Sequence, residues 1–324
     1  MSLLDNIRKI ITPELDLFDK TLVSSLETDN PILDGVNSYI FKRAGKKLRP
    51  MLVILSAKLV GEANISTIHV AIAMELLHTA TLVHDDVIDD TLERRGSPSV
   101  NAQWGNKVAV LSGDYMLSGA LQQVAKTQNI AILDVISYIG MQLSGGEILQ
   151  LKTTQQTRIS ETDYFQIIKQ KTAHLFSVCA AAGAISAGAS QAEVEKLKKF
   201  GEYLGMCFQI RDDIFDYYTD NDIGKPTGND VRDGKVTLPL IYALKNASVD
   251  EREKIVTWIN LKEFSPSNIE YISKFARDSG GVEYAMQCME QFKNKAIEEL
   301  RGFEDNEIKL ALISCVEFAV SRKK

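Results

Sequence analysis

Apolar residues recur at three- and four-residue spacing through most of the chain: MLVILSAKLV (51–60), IHVAIAMELLHTATLV (68–83), VAVLSGDYMLSGALQQVA (108–125) and AEVEKLKKFGEYLGMCFQIRDDIFDYY (192–218). That spacing places the apolar positions on one side of an α-helix, and strict alternation of the strand kind is nearly absent. The pattern predicts an all-α chain. SETD (160–163) has the form of a capping box opening a helix. Pro13, Pro50, Pro98, Pro226 and Pro239 fall in loops or near helix ends, where a missing N–H costs little. Two stretches break the helical pattern. RRGSPSVNAQWG (94–105) is expected to be a Gly/Pro loop, and TDNDIGKPTGNDVRDGK (219–235) a long loop rich in Gly, Asp and Lys. Loops of that length inside compact domains often serve as lids. LFSVCAAAGAISAGAS (175–190) is too short for a membrane span and reads as a helix that lets its neighbours come close. No linker, repeat or low-complexity tract marks a boundary, so residues 1–324 are expected to form one all-α domain.

With 324 residues, 45% apolar and 25% charged, the composition is that of an ordinary globular protein. The net charge of -6 argues against nucleic acid as a partner, so an anionic ligand would need local basic clusters or metal ions. Cys179, Cys207, Cys288 and Cys315 are scattered, with no CxxC or Cys/His spacing for zinc. Reduced thiols and a cytoplasmic location are expected. MSLLDNIRKIITPELDLFDK is charged too early for a signal peptide. The closing SRKK (321–324) reads as a disordered tail, with closure over an anionic ligand as the alternative.

Charge at the helix ends changes the picture more. LVHDDVIDD (82–90) carries Asp85, Asp86, Asp89 and Asp90, and FQIRDDIFDYY (208–218) carries Asp212, Asp213 and Asp216. D-D-x-x-D therefore occurs twice, each time closing an apolar helical run. Asp85 shares a helix face with Asp89, and Asp212 with Asp216, each pair separated by about 6 Å along the axis. Carboxylates so placed repel unless a cation neutralises them. Magnesium binds through one or two carboxylates plus substrate phosphates, so two facing motifs imply divalent cations clamping a polyphosphate. A solvated helix end is the simpler reading of one such motif. Two copies on apolar helices weigh against it.

Basic residues accompany the acids. RAGKKLRP (43–50) holds Arg43, Lys46, Lys47 and Arg49; Arg94 and Arg95 follow the first acidic motif; Lys171, Lys225 and Lys235 come later. Arginine forks match phosphate oxygens in pairs. Together with the acids they suggest two diphosphate sites, one bridged by metal and one held by Lys and Arg alone.

GKKLRP, ELLHTATLVHDDVIDD, LERRG, LSGDYML, KTAHLF, FQIRDDIFDY and GKPTGNDVRDGKVTLPL, in this order between Gly45 and Leu240, resemble the successive motifs of the trans-isoprenyl diphosphate synthases. The resemblance implies an all-α bundle around a deep central cavity, a homodimer, and three magnesium ions on Asp85, Asp86, Asp89, Asp212, Asp213 and Asp216. It implies isopentenyl diphosphate on Lys46, Arg49, His78 and Arg95. It places the allylic diphosphate on Arg94, Lys171 and Lys235, with Lys225 nearby on the lid. Thr172 and Gln209 would lie beside the developing carbocation and, with Lys171 and Lys235, make up the catalytic set. Asp230 is a weaker candidate for bound water or metal, and Asp90 is undecided between a solvated role and metal binding. The implied reaction is sequential head-to-tail condensation onto an allylic primer such as farnesyl or geranylgeranyl diphosphate. No transmembrane segment is expected, although transient membrane contact could accompany product release.

Family members with short products tend to carry a bulky aromatic four or five residues before the first aspartate, where this chain has Thr81 and Ala80. Leu77, Met74 and Ala73 lie deeper, Ala73 about 18 Å from Asp85 at the helical rise. Without an aromatic plug the expected product is long, C35 to C50 and octaprenyl-like, such as a precursor of a quinone side chain. A floor on another helix would leave Ala80 and Thr81 as plain packing positions. A shorter-chain synthase remains an alternative. A class I terpene cyclase, which has no need of GKKLRP or a second all-Asp motif, is a more distant one, and a regulatory subunit would generally have degraded aspartate motifs. A di-iron bundle fails because ELLH (75–78) has no second Glu-x-x-His among the four histidines.

Overall fold

The computed structural model describes residues 3–42, 45–94, 96–154, 160–218 and 228–322. Helices make up nearly all of it: α1 (Leu3–Ile10), α2 (Thr12–Ser25), α3 (Pro31–Phe41), α4 (Leu48–Val60) and α5 (Ile65–Ile88) precede a small hairpin. After the hairpin come α6 (Val100–Trp104), α7 (Asn106–Lys126), α8 (Ile130–Thr154) and α9 (Glu161–Ile168). A π-helical turn (Lys169–Ala173) joins α9 to α10 (His174–Ser186), and α11 (Gln191–Phe215) follows. The remainder is α12 (Asn229–Arg232), α13 (Leu238–Asn246), α14 (Val249–Asn260), α15 (Pro266–Asp278), α16 (Gly281–Glu299) and α17 (Glu307–Ser321).

Local chemistry sets many of the boundaries. The SETD box is present: Ser160 accepts from the Asp163 N–H, and the Asp163 carboxylate accepts from the Ser160 N–H, both at 3.1 Å. Asn64 and Thr67 build an equivalent box at the start of α5, outside the usual Ser/Thr-x-x-Glu pattern. The stretch from Arg94 to Gly105 corrects the sequence expectation of a loop. Glu93–Arg94 (β1) pairs antiparallel with Ser97–Pro98 (β2) around Gly96, whose φ of +72° suits a tight turn. Ser99 then caps α6 through the Ala102 N–H. Two-residue strands carry no readable period, so the sequence pattern could not reveal them. In the expected long loop, 219–227 lie outside the described residues, and Asn229–Arg232 forms a helical turn.

Backbone contacts group the chain into two compact units. The first comprises Met1–Gly140, Val178–Lys198 and Phe303–Cys315; the second comprises Met141–Ser177, Lys199–Gly302 and Val316–Lys324. In the first, α5 is central, packed by α2, α4 and α7. Its buried residues run round most of its circumference, from Ile68, Val70 and Ala71 to Leu77, Ala80 and Val83. Each large apolar side chain buried in this way stabilises the fold by about 1.5–3 kcal/mol. Among the described residues α5 is the one helix long and apolar enough to cross a membrane, and 61% of that window is buried inside the protein. The small residues of 175–190 do allow close approach: a methyl at Gly183 would overlap the Val53 carbonyl. In the second unit α13 packs on α15 and α16, and Gly281 lies against the Pro239 carbonyl.

Candidate active site

The first unit contains a partly open pocket. Glu75, His78, Thr79, Leu82, Val83 and Asp86 of α5 line it, at spacings that put them on one helix face. The end of α3, Gly45 and the hairpin with Arg94 complete the wall. His78 and Arg94, both expected to bind diphosphate, are thus brought together with Asp86.

Asp86 is buried and fully engaged. Arg94 donates from Nε to both carboxylate oxygens at 2.7 and 2.8 Å, and its second nitrogen approaches at 2.6 Å. Asn101 and the Thr91 N–H both donate to the Asp86 backbone carbonyl. Asp89 caps α5, its N–H still donating to the Asp85 carbonyl at 2.8 Å. Asp90 follows with a φ of +49° and ends the helix. Asp89 is exposed and Asp85 half-buried, so the outer carboxylates of the motif are the accessible ones.

The two neighbouring histidines are structural. His84 Nε2 lies 3.1 Å from the Val110 carbonyl and covers Gly113, where any side chain would overlap the imidazole. His69 Nδ1 meets Gln123 at 2.8 Å. Of the basic cluster, Lys46 is exposed, and Arg49 lies in the first turn of α4 close enough to Cys179 to act on it electrostatically. Lys47 instead forms an ion pair with Asp19 at 2.5 Å. Arg95 and Lys225 lie outside the described residues. Met74, Leu77 and Ala80 are buried, and Thr81 is half-buried with its hydroxyl on the His78 carbonyl at 2.8 Å. Met74, Leu77, Thr81 and Asp85 fall at i, i+3, i+7 and i+11, a stripe distinct from the pocket face.

The second unit gathers the remaining residues. Lys171 and Thr172 sit on the π-helical turn, a rare local geometry that often marks functional positions. Thr172 donates to Gln209 Oε1 at 2.7 Å, Gln209 Nε2 donates to Asp213 Oδ1 at 2.8 Å, and the buried Tyr164 hydroxyl donates to Asp213 Oδ2 at 2.6 Å. Lys171 pairs with Glu147 at 2.7 Å. Asp216 accepts from the Asp230 N–H at 2.9 Å, and Lys235 lies 3.7 Å from Asp230 and 3.0 Å from Asp233. Asp212 pairs with Arg322 at 2.8 Å. Arg322 also donates to the Phe208 carbonyl and stacks 3.7 Å over its ring. This corrects the reading of SRKK as a tail through and through: Ser321 ends a helix and Arg322 is anchored, while 323–324 lie outside the described residues. Tyr164, Glu147 and Arg322 were missed by sequence reasoning. Their partners are distant in the chain, and only the proximity of Tyr164 to KTAHLF gave any hint.

The acidic residues of this unit crowd one another. Burial, reinforced by Asp230, pushes the Asp213 carboxyl up, against two hydrogen bonds that favour its anion. Burial and the charge of Asp216 push Asp230 up to about 6. A divalent cation beside these crowded carboxyls would favour their ionised forms. Among the described residues no three carboxylates, histidines or cysteines close into a protein-only cage. Accessible oxygen donors that leave most coordination positions to water and phosphate are what magnesium prefers. The outer carboxylates Asp85, Asp89, Asp212 and Asp216 fit that role, whereas both oxygens of Asp86 and of Asp213 are already held by side chains.

A sequence model of the polyprenyl synthetase family matches residues 30–275. The octaprenyl diphosphate synthase of Haemophilus influenzae is 32% identical over 320 residues, spanning 98% of this chain and 97% of that protein. The crystal structure of a polyprenyl synthase from Caulobacter crescentus, complexed with calcium and isoprenyl diphosphate, superposes with a TM-score of 0.94 at 31% identity, covering 99% of this chain and 98% of that one. That of a geranylgeranyl pyrophosphate synthase from Bacteroides thetaiotaomicron gives 0.86 at 39% identity, with 99% of each chain covered. With two D-D-x-x-D motifs, a Lys171–Thr172 turn bound to Gln209 and matches along its whole length, the chain belongs to the polyprenyl synthetase family, the trans-isoprenyl diphosphate synthases, and is a prenyltransferase.

Proposed function

We propose that this prenyltransferase adds isopentenyl diphosphate repeatedly, head to tail, to a farnesyl or geranylgeranyl diphosphate primer. The product is a long trans-polyprenyl diphosphate of C35 to C50, suited to a quinone side chain. The observation that carries the long-chain reading is the stripe above Asp85: Thr81, Leu77 and Met74 with Ala80 beside them, and no aromatic residue among them. The Haemophilus relative, named for an octaprenyl product, supports it. The 39% identity to a geranylgeranyl pyrophosphate synthase favours a second reading, a shorter product. Chromatography of products made from labelled isopentenyl diphosphate decides between them: chains of C35 or longer are expected, and C20 as the end point would establish the shorter-chain reading.

The family uses divalent metal to bind diphosphate, and three magnesium ions per site is our assignment. When bound, magnesium acts as a Lewis acid that stabilises charge on the leaving diphosphate. Asp85, Asp89, Asp212 and Asp216 supply accessible oxygens, with Asp86 and Asp213 completing the two motifs. Arg94, Lys171, Lys225 and Lys235 add positive charge where the allylic diphosphate departs. Lys46, Arg49, His78 and Arg95 hold the isopentenyl diphosphate so that its double bond reaches the allylic cation at short range. Thr172 and Gln209 present oxygen lone pairs to that cation. The proton lost at the end goes to the departing diphosphate. His78 serves as a diphosphate donor.

We assign a homodimer, supported by exposed apolar residues along α7 and α8, among them Leu111, Leu121 and Ile130. Free, buried cysteines are in keeping with a cytoplasmic enzyme, and brief membrane contact would let an apolar product leave. Cyclic hydrocarbon from a preformed prenyl diphosphate without isopentenyl diphosphate would indicate a cyclase instead. Activity of the purified chain alone excludes a purely regulatory subunit.

A further inference from the structure

We infer that Tyr164 is a positioning residue for the condensation, acting through Asp213 and Gln209 on Thr172. The hydroxyl lies in the first turn of α9, whose backbone is fixed by the Ser160–Asp163 capping box. Tyr164 and Asp213 are both buried, each about 4% exposed, so their hydrogen bond is shielded from water.

The direction of each bond fixes the next. Tyr164 occupies Asp213 Oδ2 and holds the carboxylate plane, so Oδ1 is turned to Gln209. Oδ1 accepts from the amide Nε2 of Gln209 at 2.8 Å. The amide carbonyl is then committed to Thr172, whose hydroxyl must donate. Thr172 Oγ1 therefore offers lone pairs, and not its proton, to whatever lies beside it. A developing allylic cation requires that polarity. A flipped Gln209 amide would reverse the last bond and present the proton. The glycines around the turn tighten the arrangement: Gly205 lies against Ala173, and a Cβ on Gly146 would come within 3.1 Å of Gln170. The segment carrying Thr172 is thus held close on both sides, and its remaining freedom is the hydrogen-bond orientation that Tyr164 restricts.

This role rests on the proposed reaction and is tested apart from it. Tyr164→Phe in the full chain keeps the ring and removes only the hydroxyl. The expected result is a fall in kcat of about tenfold, in keeping with misplacement of a group at the reacting centre. KM for both diphosphates and the magnesium concentration for half-activity should stay within about twofold, because Tyr164 touches neither substrate nor metal. In a Gln209→Leu background, where the relay is already cut, adding Tyr164→Phe should change kcat by less than about twofold. Binding of manganese with inorganic diphosphate, followed by electron paramagnetic resonance, should match the parent protein. Undiminished kcat in Tyr164→Phe overturns the inference. So does the same tenfold loss in both backgrounds, or a manganese affinity that falls with kcat. Gln209→Leu alone examines the relay should Tyr164→Phe unfold below the assay temperature, and an unchanged kcat there also overturns it. A parent chain that makes no prenyl diphosphate refutes the reaction itself, while an active parent with an equally active Tyr164→Phe refutes only the role of Tyr164.

Discussion

Within each D-D-x-x-D the three carboxylates do different things, and their spacing alone does not distinguish them. Asp86 and Asp213, the second of each motif, are buried and bound by side chains, whereas Asp85, Asp89 and Asp212 stay accessible. Arg94→Leu would leave the Asp86 carboxylate buried without its partner. A loss of about 2–4 kcal/mol in unfolding free energy is expected from urea titration, the lower part of the range reflecting the partial exposure of Arg94. At the other end of the same helix stretch, Thr81→Tyr should shorten the product markedly by chromatography of the reaction mixture. Ala80→Phe should do the same, with an added stability cost of about 1–3 kcal/mol because Ala80 is fully buried. Unchanged product length in both would remove these positions from the ruler. The carboxylates and small residues were legible in the sequence. Their burial was not, because it depends on Arg94 folding back in a hairpin and on Tyr164 lying 49 residues from its partner.

At the scale of elements, periodicity predicted the long helices well, and the SETD box predicted the start of α9. The π-helical turn at Lys169–Ala173 was not predictable, since one inserted residue in a helix leaves the apolar spacing nearly intact. It carries Lys171 and Thr172 to Glu147 and Gln209. Close helix crossings depend on glycine. Gly183→Ala should push α10 away from the Val53 carbonyl and cost about 1–3 kcal/mol, read as a lower thermal midpoint with secondary structure retained by circular dichroism. The sequence hinted at this through its small-residue run, but the partner backbone came from the tertiary structure.

For the whole molecule, the surplus of acid over base becomes a pH effect through metal binding. Asp230 is raised to about 6 from an ordinary carboxyl value of 3.8. Between about pH 4 and pH 6 the unfolded chain has released this proton and the folded, metal-free chain retains it, so stability falls as pH rises through that window. Magnesium favours the ionised carboxylates and reverses the loss. Calorimetric titration with magnesium near pH 6, in two buffers of different ionisation enthalpy, should therefore show proton release that Asp230→Asn reduces. Equal release from Asp230→Asn and the parent would show that Asp230 is not linked to the metal.

The sequence by itself determined the helical class, the two acidic motifs, the basic segments and the small residues above Asp85, because each is written in short-range spacing along a helix. It also determined the family, through the order of those motifs from Gly45 to Leu240. Only the tertiary structure decided which carboxylates are sequestered and which remain open, that Arg322 answers Asp212, and that Tyr164 closes a relay to Thr172. The physical reason is that burial and hydrogen-bond direction are set by partners far away in the chain, and no local period records them.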